Sequence, residues 1–590
     1  MKSAAAPTPC DVLVVGSGAG GLAAAVTARL LKLDVLLVEK APVFGGTTAW
    51  SGGWLWIPCN AHARRAGSTD SIDDARRYLQ AELGDAFDAA KVDAFLLHGP
   101  EMVDFFERET ALRFIPGPAT PDFHSQLPGA GVGRPVCAAP FDGRELGGLV
   151  AKLRPPLPEL SVLGMAIAAG ADLAHFMNAT RKPASALHAV KRFARHGADM
   201  LRHRRGMHLV NGNALVARLL KSASTLGVRM WTDAAVSELD IAQGAVVGAR
   251  IVTAEGRVRV VTRRAVVLAC GGFPHDVARR RALFAHERSG REHGSAAPPP
   301  NTGDGLRLAE SAGAAIVTTD QPAAWAPVSE VRHRDGRVGC FPHLVDRAKP
   351  GVIAVTAAGR RFVNEANSYH DFIAALLAVT PEGSDPVCWL VADHRTLRRY
   401  GLGFAKPFPF PAGVYRRMGY LQRGATPEAL AGICGFDAAG FAATLDEYNR
   451  CARNGSDPAF GRGSTPFNRF GGDPGHAPNP CVAPIEVAPY YAVRILPGSL
   501  GTFAGIRTDA NAQALTADGR AIAGLYAVGN DMASIMGGSY PGGGITLGPA
   551  MTFGYLAARH LAGATDPSGA GQPATETLAR SAAPFNRTRA

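Results

Sequence analysis

The sequence predicts an α/β protein whose main unit is a Rossmann-like dinucleotide-binding domain, discontinuous in the chain, with an α+β domain inserted into it. Three observations carry that reading. Two short apolar runs, residues 11–15 and 35–38, flank a Gly-rich turn at 16–21 and an Ala/Leu-rich segment at 22–31, the strand–turn–helix–strand order of a βαβ unit. A further apolar run, 266–270, leads into Gly271 and Gly272. Gly-rich sequence then returns at 524–548, before a last helical pattern near 549–561.

The first unit is the most specific. Gly16, Gly18 and Gly21 form a GxGxxG pattern with Ser17, Ala19 and Gly20 between them. Gly16 permits the tight turn, Gly18 lets backbone approach a pyrophosphate, and Gly21 lets helix and strand pack closely. The phosphates then sit at the positive end of the helix. Glu39, followed by Lys40, ends the next strand, where an acid can hydrogen-bond ribose hydroxyls. A few residues on come Gly45, Gly46, Thr47, Thr48, Ser51, Gly52 and Gly53. Two Gly pairs bracketing hydroxyls favour FAD over NAD. Near the other end, Gly529-Asn530 and the run Gly537 to Gly548 precede the final helix, with Pro549 at its start. Backbone N–H groups there, around Thr546 and Leu547, could face the flavin and stabilise its charge on reduction.

Between these signals, residues 45–153 read as a long Gly/Pro-rich stretch. A helical, basic insertion is expected over 154–206. A helix follows at 213–224, then strands at 228–233, 245–253, 258–262 and 266–270. Character changes near Asn301, with a helix over 305–314. The expected division is therefore 1–153, 207–300 and 496–562 for the nucleotide domain, 154–206 for the insertion, 301–495 for the catalytic domain, and 563–590 for a flexible tail.

Composition narrows the classes. The chain has 590 residues, enough for two or three domains, and 47% of them are hydrophobic. Nine cysteines are scattered, with no CxxC. That fits a reducing, cytoplasmic setting and argues against a disulfide framework or a metal site. No secretory core follows the N-terminus, and no run reaches membrane-spanning length. Residues 161–177 are apolar but carry Asp172 and His175, which reads as a buried or interfacial helix. The net charge is +12, and residues 181–205 hold eight Lys/Arg against one acid, Asp199. A solvated helix face is the favoured reading; peripheral contact with the inner face of a membrane is the alternative. No nucleic-acid motif is present.

Taken together, these motifs resemble the flavoprotein family that includes fumarate reductases and 3-ketosteroid dehydrogenases. The match also takes in Val267-Leu-Ala269-Cys-Gly271-Gly-Phe273, Asn301-Thr-Gly-Asp-Gly-Leu306 and Arg361-Phe-Val-Asn-Glu365. The resemblance implies a glutathione-reductase-type domain holding FAD non-covalently, with a catalytic domain closing over the flavin. Ala269 and Gly271 join the cofactor residues on this basis. Fumarate reductases use an arginine proton donor in the C-terminal Gly-rich loop, but residues 537–548 contain none. Ser-Tyr540-Pro-Gly-Gly-Gly544 looks like the steroid-dehydrogenase version instead. That branch implies Tyr540 and the Gly544 N–H at the ketone oxygen, and Tyr369 as the base. A free tyrosine titrates near ~10, so the site must lower that value or relay the proton. One departure stands out: a further active-site tyrosine of the Δ1-dehydrogenases is replaced by Phe123, with His124 beside it in the expected substrate pocket. Both Δ1 and Δ4-(5α) chemistry stay open, as do a reductase of activated C=C bonds and a non-catalytic redox partner. The expected partners are a hydrophobic cyclic ketone, such as a steroid, and a quinone or other electron acceptor.

Overall fold

The computed structural model describes residues 8–564. The tail expected over 563–590 lies outside the described residues beyond Ala564.

An eight-stranded sheet forms the frame of the nucleotide domain. Its central strand, Thr8–Val15, pairs in parallel with Val35–Val38 on one side and Gly256–Leu268 on the other. Ala521–Ala527 adds in parallel outside Gly256–Leu268, and Arg229–Trp231 outside Val35–Val38. Val12–Val15, Val35–Val38 and Ala265–Leu268 at the centre of the sheet are apolar and buried because both faces are covered there. Helix Ala19–Leu30 packs against the last helix, Leu547–Ala562. The first and last segments of the described chain therefore meet beside the Gly-rich turn.

A seven-stranded sheet organises the second half. Its path runs Val338–Pro342, Ala323–Arg332, Tyr490–Thr502, Cys388–Ala392 and Val352–Thr356. Helix Tyr369–Val379 packs against Ala323–Arg332. The boundary expected at 495/496 falls inside Tyr490–Thr502, which pairs along its length with this second sheet.

Several elements differ from the sequence reading. The two strands expected at 258–262 and 266–270 are one strand, Gly256–Leu268. Its polar middle stays extended because Arg263 reaches Asp11 across the sheet, with Nε 2.6 Å from Oδ1. The Gly/Pro-rich stretch contains two substantial helices, Ile72–Leu83 and Ala89–Glu109. Ile72–Leu83 starts at a Ser71 N-cap and buries Ala75, Tyr78, Leu79 and Leu83, one stripe of a helix. The helix expected at 161–177 shortens to Ala171–Asn178, with no fully buried residue. Gly164 and Gly170 take positive φ and break the run. Asp172 is held by His188 and Arg192 of the next helix, Pro183–His203.

Candidate active site

Residues from both sheets line a cleft of about 1030 Å³. At one end is the first βαβ turn. Gly16 has φ +107°, and a Cβ there would lie 2.2 Å from the Ala269 carbonyl oxygen. Helix Ala19–Leu30 begins at Gly18 with no side-chain cap, so its start presents N–H groups toward the cleft. Thr48 Oγ1 accepts the Ala19 N–H at 2.9 Å. Glu39 Oε2 accepts the Ser17 N–H and hydroxyl at 3.1 and 2.6 Å. All the residues expected to hold the cofactor line the cleft except Gly21 and Gly45. Gly21 packs behind it against the Gly16 carbonyl, and the Gly45 N–H donates to Ser17 Oγ at 2.9 Å.

Other residues complete this cradle from far along the chain. Lys40 pairs with Asp304 at 2.5 Å. Asn301 Nδ2 donates to Thr47 Oγ1 and to the Gly271 carbonyl at 3.0 and 3.2 Å. The fully buried Asp531 accepts the Cys270 and Gly272 N–H groups at 2.6 and 2.9 Å. Asn301 opens one of the sequence motifs and Asp531 directly follows Gly529-Asn530, but only the fold assigns them these contacts. A helix start opening onto the cleft, a Gly-lined floor and an acid at the second strand fit a dinucleotide.

The other end of the cleft is aromatic. Tyr369 and Tyr540 meet edge to face with centroids 4.8 Å apart, and each hydroxyl influences the protonation of the other. Tyr540 also contacts the Thr546 hydroxyl. Phe123 stacks on Tyr540 at 5.7 Å and 10°, meets Tyr369 edge-on at 5.5 Å, and packs against Phe467 at 4.4 Å. Burial pushes Tyr540 up to about 12, offset in part by the bonds from Tyr369 and Thr546. Burial also drives Tyr369 well above its ordinary value, and the field of Tyr540 adds to the rise, while Arg347 opposes it. Both phenols therefore hold their protons at neutral pH. Gly544 has φ +105°, and a Cβ there would overlap the Trp54 carbonyl at 2.5 Å, so no other residue fits. Its N–H has no partner among the described residues.

His124 does not line this cleft. Its ring turns away, with Nδ1 2.8 Å from Glu82 and Nε2 2.8 Å from Asp371. His370 accepts the Trp325 N–H at Nδ1 and, pushed down to about 4 by burial, is neutral. Away from the cleft, His286 and His293 share a 3.2 Å hydrogen bond, and Glu287 beside them pairs with Arg280.

A dinucleotide cradle opening onto a pair of buried phenols defines an FAD-dependent oxidoreductase, a dehydrogenase acting on CH–CH groups. A family profile described as FAD binding domain matches residues 11–547, and the chain belongs to that family. It is 42% identical to a 4-oxocyclohex-2-ene-1-carboxylate 5-dehydrogenase of Sinomonas cyclohexanicum, over 97% of this chain and 98% of that one. A 3-oxosteroid 1-dehydrogenase of Mycobacterium tuberculosis is 36% identical, over 94% and 98%. The crystal structure of 3-ketosteroid delta1-dehydrogenase from Sterolibacterium denitrificans, in complex with 1,4-androstadiene-3,17-dione, superposes with a TM-score of 0.87 and 35% identity, covering 95% of this chain and 100% of that one.

Proposed function

We propose that the protein introduces a C=C bond beside the carbonyl of a cyclic ketone of the 3-ketosteroid type. The observation that carries this reading is the Tyr540 hydroxyl in the same aromatic pocket as the unpartnered Gly544 N–H. Two neutral donors suit a ketone oxygen that gains negative charge as its α carbon loses a proton. Tyr369 takes that proton as its own phenol proton passes toward Tyr540 and the Tyr540 proton passes toward the ketone oxygen, so neither phenol gains a second proton and the ketone becomes its enol. Bound FAD supplies a two-electron acceptor for the hydride leaving the β carbon. The apolar walls, Phe123 and Phe467 among them, exclude water and hold the rings of the substrate.

A smaller ring bearing a carboxylate is a second reading, favoured by one further observation. Lys349 lines the cleft, donates to the Gly471 and Gly472 carbonyls, and has no ion-pair partner among the described residues. That leaves a positive charge for an acidic substituent. The 42% identity to an oxocyclohexene-carboxylate dehydrogenase supports the same reading.

The test is anaerobic mixing of the yellow protein with a panel of ketones, followed by flavin absorbance. Bleaching by 3-ketosteroids supports the first reading, and bleaching by 4-oxocyclohexane carboxylates alone supports the second. Δ4-3-ketones and 5α-saturated 3-ketones within the panel separate Δ1 from Δ4-(5α) chemistry. No bleaching by any ketone overturns both readings. Reoxidation by quinones, compared with other acceptors, tests the acceptor. Acid precipitation should leave all flavin in the supernatant, as non-covalent binding requires.

No helix among the described residues is long and apolar enough to cross a membrane. Helix Pro183–His203 nonetheless exposes Leu187, Val190 and Leu201, the last at 89%, among its basic residues. This supports peripheral membrane contact. Co-sedimentation with anionic vesicles that is lost on L187S/L201S would uphold it.

A further inference from the structure

His124 sits where three parts of the chain converge, and both of its ring nitrogens face carboxylates at 2.8 Å. A neutral imidazole has one N–H and can satisfy only one acceptor. Glu82 and Asp371 therefore hold His124 as a doubly donating cation. Burial opposes the charge, but the two carboxylates outweigh it and raise the ring to about 10. The Glu82 side chain is only 5% exposed and, among the described residues, takes no other hydrogen bond from a side chain.

The contacts around this cation lead to each group of the aromatic pocket. Asp371 lies in the first turn of the helix that begins at Tyr369, with its N–H on the Ser368 cap. Glu82 lies on Ile72–Leu83, and its carbonyl accepts the Ser539 hydroxyl at 3.3 Å. Tyr78 of the same helix donates to the Pro541 carbonyl at 2.7 Å, and its oxygen accepts the His124 N–H at 3.3 Å. Ser539 and Pro541 flank Tyr540. The neighbouring Phe123 N–H also donates to the Pro541 carbonyl at 2.9 Å.

We propose that His124 is the positioning residue of the site: as an imidazolium between Glu82 and Asp371, it locks Tyr369, Tyr540 and Phe123 into one arrangement. It touches no reacting atom and acts through the elements it joins. The inference rests on the ketone-dehydrogenase reading for its kinetic consequence, but the clamp itself has a readout independent of turnover. Without the cation, two carboxylates on separate elements face each other and repel, and the Tyr369 helix start loses its tie to the Tyr540 loop.

The groups that face the His124 ring or its backbone are Glu82 and Tyr78 from one helix and Asp371 and His370 from the other. His370 is neutral, so the carboxylates set the titration. The folded-state value lies above the unfolded one, so the clamp's stabilisation is full below about 6.5 and is lost as pH rises toward 10.

The test uses the FAD-bound protein and three forms: wild type, Glu82→Gln and His124→Gln. Glu82→Gln keeps the shape and removes one carboxylate. It should move the alkaline fall of both melting temperature and flavin-reduction rate down by about one pH unit or more. His124→Gln should slow flavin reduction by about tenfold or more across the pH range, with FAD still bound and no clamp titration left in melting temperature. If His124→Gln does not fold, Glu82→Gln alone decides. Melting profiles that superimpose for wild type and Glu82→Gln overturn the clamp. A melting shift without any effect on the rate overturns its catalytic role. If no ketone reduces the flavin, the ketone reading fails while the melting profiles still decide the clamp.

Discussion

Replacing Tyr540 with Phe removes one oxygen and little else. The ring is 3% exposed and packed between Phe123 and Tyr369, so Phe keeps its contacts and opens no cavity. Two effects follow from the lost hydroxyl. The substrate oxygen keeps the Gly544 N–H but loses its second donor, which at comparable oxyanion sites costs about 10²–10³ in rate, or ~3–4 kcal/mol. The Tyr369 hydroxyl loses a buried polar neighbour, which should lower stability by about 1 kcal/mol. The turns at Gly16 and Gly46, which line the same cleft, are untouched by the change. Anaerobic stopped-flow reduction with a saturating ketone measures the rate, and the flavin absorbance of the purified variant measures occupancy. Because the donor acts mainly on developing charge, kcat and kcat/KM should fall together. A reduction rate within about twofold of wild type, or purification as a colourless apoprotein, would refute the assignment of Tyr540.

Gly544→Ala forces a Cβ against the Trp54 carbonyl at an unfavourable φ; activity should disappear, and flavin absorbance with circular dichroism will tell displacement of the loop from loss of fold. Phe123→Tyr adds a hydroxyl in the plane stacked on Tyr540; it should speed flavin reduction by a Δ4-3-ketosteroid by about tenfold, and an unchanged rate would mean that the absent hydroxyl is not what limits this site. Glu365 is fully buried between Arg361 and Arg462 at 2.8 and 2.7 Å, and those two cations overcome burial to hold it down to about 2. Its stabilisation is therefore present above its ordinary value of 4.5 and is lost as pH falls toward 2. Glu365→Gln should cost about 3–5 kcal/mol at pH 7 in a chemical melt and flatten the acid side of the stability curve; an unchanged acid limb would show that another carboxylate governs it.

The cradle was legible because its chemistry is local. Gly16 to Gly21, Glu39 and the Gly45–Gly53 run each do their work within a few residues of one another, and their spacing reports the turn they make. The place of Tyr540 on the cleft wall was legible for the same reason, because a Gly-rich loop encloses it. The helices Ile72–Leu83 and Ala89–Glu109 were missed although their signals were present. Ser71 as a cap and the buried stripe from Ala75 to Leu83 were outweighed by the Gly/Pro content of the stretch around them. The environment of His124 was not legible at all. It stands beside Phe123 in sequence and so was expected in the pocket, but the partners that turn it outward are 42 and 247 residues away. No spacing rule reaches that far. Asp531, which fixes the Cys270–Gly272 turn from 261 and 259 residues away, is hidden in the same way.

The protonation of the phenol pair constrains how the chemistry proceeds. A free tyrosinate would need a cation against it, and the cation whose field lowers Tyr369 is Arg347. Arg347 is buried, donates to the carbonyls of His343, Glu365 and Asn367, and has no carboxylate within ion-pair distance among the described residues. Its charge is therefore not cancelled by an ion pair and remains available to the helix that carries Tyr369. Even so, burial keeps Tyr369 well above its ordinary value. On the proposed reading, the α proton therefore reaches Tyr369 only as the Tyr369 proton moves on toward Tyr540 and the Tyr540 proton moves to the substrate oxygen, and not onto a base ionised in advance. Arg347→Met tests this. Removing the field should make proton abstraction slower and increase the solvent isotope effect on flavin reduction, while the Phe123→Tyr change leaves that isotope effect alone. An Arg347→Met variant that folds, binds FAD and reduces at the wild-type rate would mean that the field of Arg347 plays no part in the transfer.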